Sequence, residues 1–189
     1  MGNPGERYSD TRHNVAWRVL DLLATRWRAG ASTGSELLSA RVAGTPAGPV
    51  ELMKPRTYMN RSGEALERWI QERGGPPEDL LVVVDDVWLP VGALRLRARG
   101  SSGGHRGLES IEAGLATREF ARLRIGVGAA ESPARLRDHV LEPFEAEEIP
   151  MIEQAVVRAA DAVECWAAEG IESAMNRFNR ETPKEVEEP

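Results

Sequence analysis

Cysteine is almost absent. Cys165 is the single thiol in 189 residues, which excludes an internal disulfide framework and fits a reducing compartment. It lies among apolar helical neighbours and reads as a small buried hydrophobe. Long hydrophobic runs are missing as well. The longest, Leu80 to Val84, is far too short to span a bilayer. No basic-then-apolar leader opens the chain, so a cytoplasmic protein with no membrane role is expected. There is no Gly-x-Ser-x-Gly, which removes the usual serine-hydrolase turn, and no Walker lysine pattern, which removes that route to nucleotide hydrolysis. His13, His105, His139, Asp85 and Asp86 lack metal-ligand spacing, so neither a metal nor another cofactor is expected. An excess of positive charge is also lacking. The formal net charge of −6 argues weakly against bulk nucleic-acid binding but says little about a local patch. Part of the acid sits in Glu181, Glu185, Glu187 and Glu188, and residues 181–189 read as a solvated, disordered tail.

What remains is an ordinary soluble composition, 41% apolar and 29% charged, in a length that fits one domain over residues 1–180. Asp10 or Thr11 is placed to cap a helix whose apolar face is Val15, Val19, Leu22 and Leu23. The stretch from Thr33 to Gly48, rich in Gly, Ser and Pro, holds a short strand near Arg41 to Ala43, and Val50 and Leu52 mark another. Ser62 is expected to cap a helix carrying Ala65, Leu66, Trp69 and Ile70, stopped by Gly74-Gly75-Pro76-Pro77. Leu80 to Val84 is apolar without alternation, the pattern of a strand buried on both faces. Leu94 to Arg99 alternates apolar and basic residues, as a half-exposed strand does. Ser101 to Gly104 opens a helix with Leu108, Ile111 and Leu115 on one face, and Leu123 to Val127 is another strand. A long helix follows from Glu145 through Trp166, then a shorter one from Ile171 to Phe178. Strands alternating with helices predict an α/β fold: a single domain with a twisted, mixed and mostly parallel sheet sandwiched between helices.

Chemistry-bearing residues collect in three separated stretches. Asp85 stands just after the buried strand, where ligands gather in open α/β sheets; it serves either as a functional carboxylate or as a support for loop amides. Asp86 points the other way, as a solvated group or a structural acceptor. His13 lies at or near the first turn of the first helix. There the dipole disfavours imidazolium and keeps the ring available as a base, although a histidine at that place also serves as a surface or capping residue. Asn3 stabilises a turn, and Asn60 caps a helix, or else both amides face a cleft and donate to a carbonyl oxygen as charge develops. Tyr8 and Met59 would wall such a cleft or fill core. Arg95, Arg97 and Arg99 project from one face of their strand, with Arg106, Arg122 and Arg124 extending the patch. Beside a Gly-rich helix start this is either a grip for nucleic-acid phosphates or a solvated face paired with Glu109 and Glu112.

Taken in order, Gly2-Asn3-Pro4-Gly5, Tyr8, Thr11-Arg12-His13-Asn14, Lys54-Pro55-x-Thr57-x-Met59-Asn60-x-Ser62-Gly63, Asp85-Asp86-x-x-Leu89-Pro90-x-Gly92, Gly103-Gly104-His105-x-Gly107-Leu108 and Arg122 to Gly128 resemble the bacterial-type peptidyl-tRNA hydrolases over essentially everything before the tail. The resemblance implies a monomeric α/β enzyme that hydrolyses the ester of peptidyl-tRNA and so recycles prematurely released molecules. Position by position it implies His13 as catalytic base and Asp85 as the carboxylate orienting it. Asn3 and Asn60 would position the reacting carbonyl, Tyr8 and Met59 would line the cleft, and Arg95, Arg97 and Arg124 would contact tRNA. Arg106 replaces an asparagine that many members carry, and is expected to alter the grip on substrate. The family also begins with a buried apolar strand running into Gly-Asn-Pro-Gly, whereas Met1 stands where that strand would end. A start assigned too late, or a missing interior strand, is therefore expected. The rival reading is a catalytically silent RNA-binding member of the same superfamily.

Overall fold

The computed structural model describes residues 1–30, 37–45, 48–130 and 132–180. The expected acidic tail and part of the Gly/Ser/Pro-rich stretch from Thr33 lie outside the described residues. Strand β1 (Leu37–Thr45) pairs antiparallel with β2 (Gly48–Pro55), so the short strand expected near Arg41 is one arm of a longer hairpin. A second sheet has the order β3-β5-β4, from Leu81–Asp86, Ala121–Gly126 and Leu94–Arg97. Within it β3 runs parallel to β5, and β4 antiparallel to β5. The domain is mixed α/β, as expected, but not mostly parallel: among the described residues one strand pairing is parallel and two are antiparallel, because β1 and β2 form a hairpin and β4 runs back against β5.

Helices cover both faces of the three-stranded sheet. Val83, Leu123 and Ile125 face α1 (Val15–Arg26), α5 (Ile149–Glu169) and α6 (Ile171–Phe178), forming the larger core. Val82 and Val84 point to the other face, with Leu66 of α2 (Ser62–Arg73) and Leu108 and Ile111 of α3 (Arg106–Leu115). Successive strand residues alternate sides, so a run of valines serves both cores. That is why Leu80 to Val84 shows no alternation. Helices α2 and α3 touch closely at Gly63, where a Cβ would run into the Ser110 carbonyl. No described helix is long and apolar enough to cross a membrane.

Several helix starts differ from the expectation. Neither Asp10 nor Thr11 caps α1; a 3-10 turn, Arg12–Asn14, comes first, and the Thr11 hydroxyl donates to the Tyr8 carbonyl. Ser62 is the first residue of α2, not its cap, and its hydroxyl donates to the Met59 carbonyl. Helix α3 begins at Arg106 and is capped by His105 rather than by Ser101 to Gly104. A short helix, α4 (Leu136–Leu141), lies between β5 and α5, where the sequence carries no clear helix signal.

The outer edge of β3 bounds an apolar groove of about 590 Å³, lined by Leu52, Met53, Trp69, Ile70 and Trp166 among others. The carbonyls of Leu80 and Asp86 accept from the β5 side, so by alternation the backbone groups of Leu81 and Val83 face the groove. From the described residues, the α-amino group of Met1 reaches across to the Val83 carbonyl at 2.9 Å.

Candidate active site

The carboxyl ends of β3 and β5 open onto a cleft of about 720 Å³. Asp85 ends up there because it follows the buried valines, and it is itself buried, with 1% of its surface exposed. One of its oxygens, Oδ1, meets two imidazoles: His13 Nδ1 at 2.7 Å and His105 Nε2 at 3.0 Å. The tautomers follow from the bonding. His105 Nδ1 accepts the Leu108 N–H as the cap of α3, so Nε2 carries the proton and donates to Asp85. Since Asp85 accepts, His13 donates through Nδ1, leaving its Nε2 lone pair on the far side of the ring. Burial pushes the Asp85 carboxyl up, but attraction to His13 and His105, with their hydrogen bonds, overrides it and holds the group well below the usual carboxylate range. The same three side chains offer ligand atoms within 4.8 Å of one another. Two of those atoms are N–H donors to the third, a role incompatible with simultaneous ligation of a metal.

His13 is held from its neighbour. Arg12, 4% exposed, donates to the Val127 carbonyl and pairs with Glu148 at 2.7 Å, its guanidinium lying over Phe144. That ties the 3-10 turn to the end of β5 and to the start of α5. Asn3 is gripped from both sides. Its N–H donates to Asn14 Oδ1 at 2.8 Å, and its carbonyl accepts from Asn14 Nδ2 at 3.0 Å. Its own Oδ1 accepts the Met59 N–H at 2.9 Å, which orients the amide and leaves Nδ2 as a donor with no partner among the described residues. Exposed Asn60 lies next to Met59 in a 3-10 turn that also lines the cleft.

Asn3, Tyr8, His13, Met59, Asn60, Asp85, Arg106 and Arg124 therefore come together around one cleft. Arg95 and Arg97 do not: they lie exposed on β4, in cross-strand register with Arg124 and Arg122. Arg124 differs from them. Its guanidinium donates to Asp86 Oδ2 at 3.1 Å and to the Ser101 and Ser102 carbonyls, so it clamps the loop that carries His105. Arg122 is wholly buried and bonds the Arg118, Phe120 and Ser101 carbonyls. Asp86 is a structural acceptor, taking the Trp88 N–H as well as Arg124. The clamped loop turns through Gly103 and Gly104, both at positive φ, where side chains are strained. Sequence reasoning does not assign His105, Asn14 or Trp88 to the site. The Gly-Gly-His motif marks the place of the first, but nothing local shows which carboxylate it reaches.

The chain matches the family described as peptidyl-tRNA hydrolase over residues 1–187. It is 42% identical over 179 residues to the peptidyl-tRNA hydrolase of Thermus thermophilus, covering 95% of this chain and 93% of that one. To the Symbiobacterium thermophilum protein of the same name it is 44% identical over 181 residues, covering 95% and 96%. Among solved structures, the peptidyl-tRNA hydrolase of Acinetobacter baumannii superposes with a TM-score of 0.89 at 32% identity, covering 96% of this chain and 93% of that one.

Proposed function

Because the chain belongs to the peptidyl-tRNA hydrolase family, we propose that its cleft hydrolyses the ester joining a peptide to the terminal ribose of tRNA. His13 Nε2 takes a proton from water, and the hydroxide attacks the ester carbonyl. Asp85 keeps His13 in the required tautomer and stabilises the imidazolium that forms. Asn3 Nδ2 and the Asn60 amide donate to the carbonyl oxygen as it becomes an oxyanion. The tetrahedral intermediate then expels the ribose oxygen, which takes the proton back from His13, releasing the peptide acid and free tRNA.

The observation that carries this reading is the 2.7 Å bond from His13 to Asp85. With the proton of Nδ1 committed, the opposite nitrogen is left as a base. Among the described residues His13 bonds no hydroxyl or thiol, which favours water as the nucleophile. Arg95 and Arg97, exposed and without an ion-pair partner among the described residues, supply a grip for tRNA phosphates. Arg124 supports that grip through the loop it holds, and Arg106, exposed at the start of α3 on the cleft, takes part in substrate hold. The enzyme is taken to act as a monomer in the cytoplasm. The test is release of labelled peptide from peptidyl-tRNA by the full chain beside His13→Ala. Turnover that falls about 10²- to 10⁴-fold in the variant supports the reading. RNA binding without turnover in the unsubstituted chain replaces it with the silent RNA-binder.

A further inference from the structure

Of the five large hydrophobic side chains most exposed among the described residues, two line the cleft, Tyr58 and Trp88, and Trp88 is the barer of them at 67%. Single exposed apolar residues need no explanation on a plain surface. An indole at the mouth of a catalytic cleft is different, because substrate passes over it. Nor is this indole on a slack loop. The Trp88 backbone N–H donates to Asp86 Oδ1 at 2.8 Å, and Asp86 is pinned by Arg124 at 3.1 Å. Leu89, the next residue, is buried, and its carbonyl takes the Gly128 N–H. The backbone that carries the indole is thus fixed at the cleft, so little loop ordering is needed to present it.

We propose that Trp88 is a stacking platform for the base of the substrate's 3′-terminal nucleoside, an inference that rests on the peptidyl-tRNA reading above. Its place in the cleft favours the nucleoside over the peptide. Asn3, Met59 and Asn60 make the wall to which the acyl carbonyl is assigned. Trp88 instead follows the end of β3 and is joined through Asp86 and Arg124 to the Ser101–Ser102 loop and to the strand pair bearing Arg95. The ribose and its base leave the ester on the side of that arginine face, where the phosphates are held. Stacking is tolerant of base identity and needs only a π-face.

The experiment compares the full chain with Trp88→Ala and Trp88→Phe on peptidyl-tRNA and on the same substrate with its terminal base removed. Trp88→Ala is expected to raise KM about tenfold with kcat nearly kept, and Trp88→Phe to recover most of the loss. Base removal should cost the unsubstituted chain a similar factor and Trp88→Ala almost nothing more. Losses that simply multiply would overturn the proposal. So would a Trp88→Ala loss that grows from an acetylglycyl to an acetylphenylalanyl substrate, because it would place the indole against the peptide. Should the unsubstituted chain bind without turnover, the hydrolase reading fails by itself. The same comparison, read as Kd for intact and base-stripped RNA, then still decides the stacking.

Discussion

Asp85 holds two imidazoles through a single oxygen, and the arrangement depends on its charge. An amide at that position presents either no acceptor or a weaker one, and it frees His13 to adopt the tautomer that carries its proton on the working nitrogen. Asp85→Asn is expected to lower kcat about 10³- to 10⁴-fold with KM little changed; single-turnover peptide release measures it. His105→Ala should cost clearly less, because Asp85 and its bond to His13 remain. His13 and Asp85 are legible as candidates, one by its place near a helix start and the other by its place at a strand end. His105 is visible only as part of a glycine-rich motif. It is 20 residues from Asp85 along the chain, and no spacing rule brings a cap residue of α3 onto a carboxylate of β3. The exchange of two bonds between Asn14 and the Asn3 backbone is hidden for a similar reason. Nothing local to Asn14 shows its partner, which is set only when the turn that carries Asn3 folds back onto it.

Apolar periodicity locates the elements but not their ends. Helices α1, α2 and α3 each start at a different residue, or on a different cap, than their local signals suggest, because the candidate hydroxyls bond back into the preceding turn or a neighbouring residue serves as the cap. The Ser62 hydroxyl serves the Met59 carbonyl, and the His105 ring serves the Leu108 N–H. The outer edge of β3 carries a consequence of its own. Burial against Val83 lowers the pKa of the Met1 α-amino group from 8.0 to about 5. Between those values the unfolded chain binds a proton that the folded chain does not. The contribution of this group to stability is therefore greatest above pH 8, declines as the pH falls, and loses nothing further below about pH 5. Thermal midpoints of the free and Nα-acetylated chains across this range measure it. The free chain is expected to lose stability relative to the acetylated one as the pH falls from 8 to 5, since acetylation removes the titrating group.

Over the whole molecule a formal charge of −6 coexists with an arginine-bearing strand face, so net charge and local field point in opposite directions. Affinity for tRNA is expected to fall steeply with added salt. Replacing Arg95 and Arg97 with Gln should flatten the log–log slope by about one for each phosphate no longer neutralised, with kcat preserved; filter binding over a salt series checks it. By itself the sequence determined the α/β class, the helix and strand faces, the family and the candidates His13, Asp85, Asn3 and Asn60, because periodicity and motif are local properties of the chain. Only the tertiary structure decided which candidates meet. It set His105 against Asp85, withdrew Arg124 from the free cations by closing it on Asp86 and the Ser101–Ser102 carbonyls, and left Trp88 bare at the mouth of the cleft. Hydrogen-bond partners and exposure depend on distances between segments far apart in sequence, and those distances exist only once the sheet and its covering helices have packed.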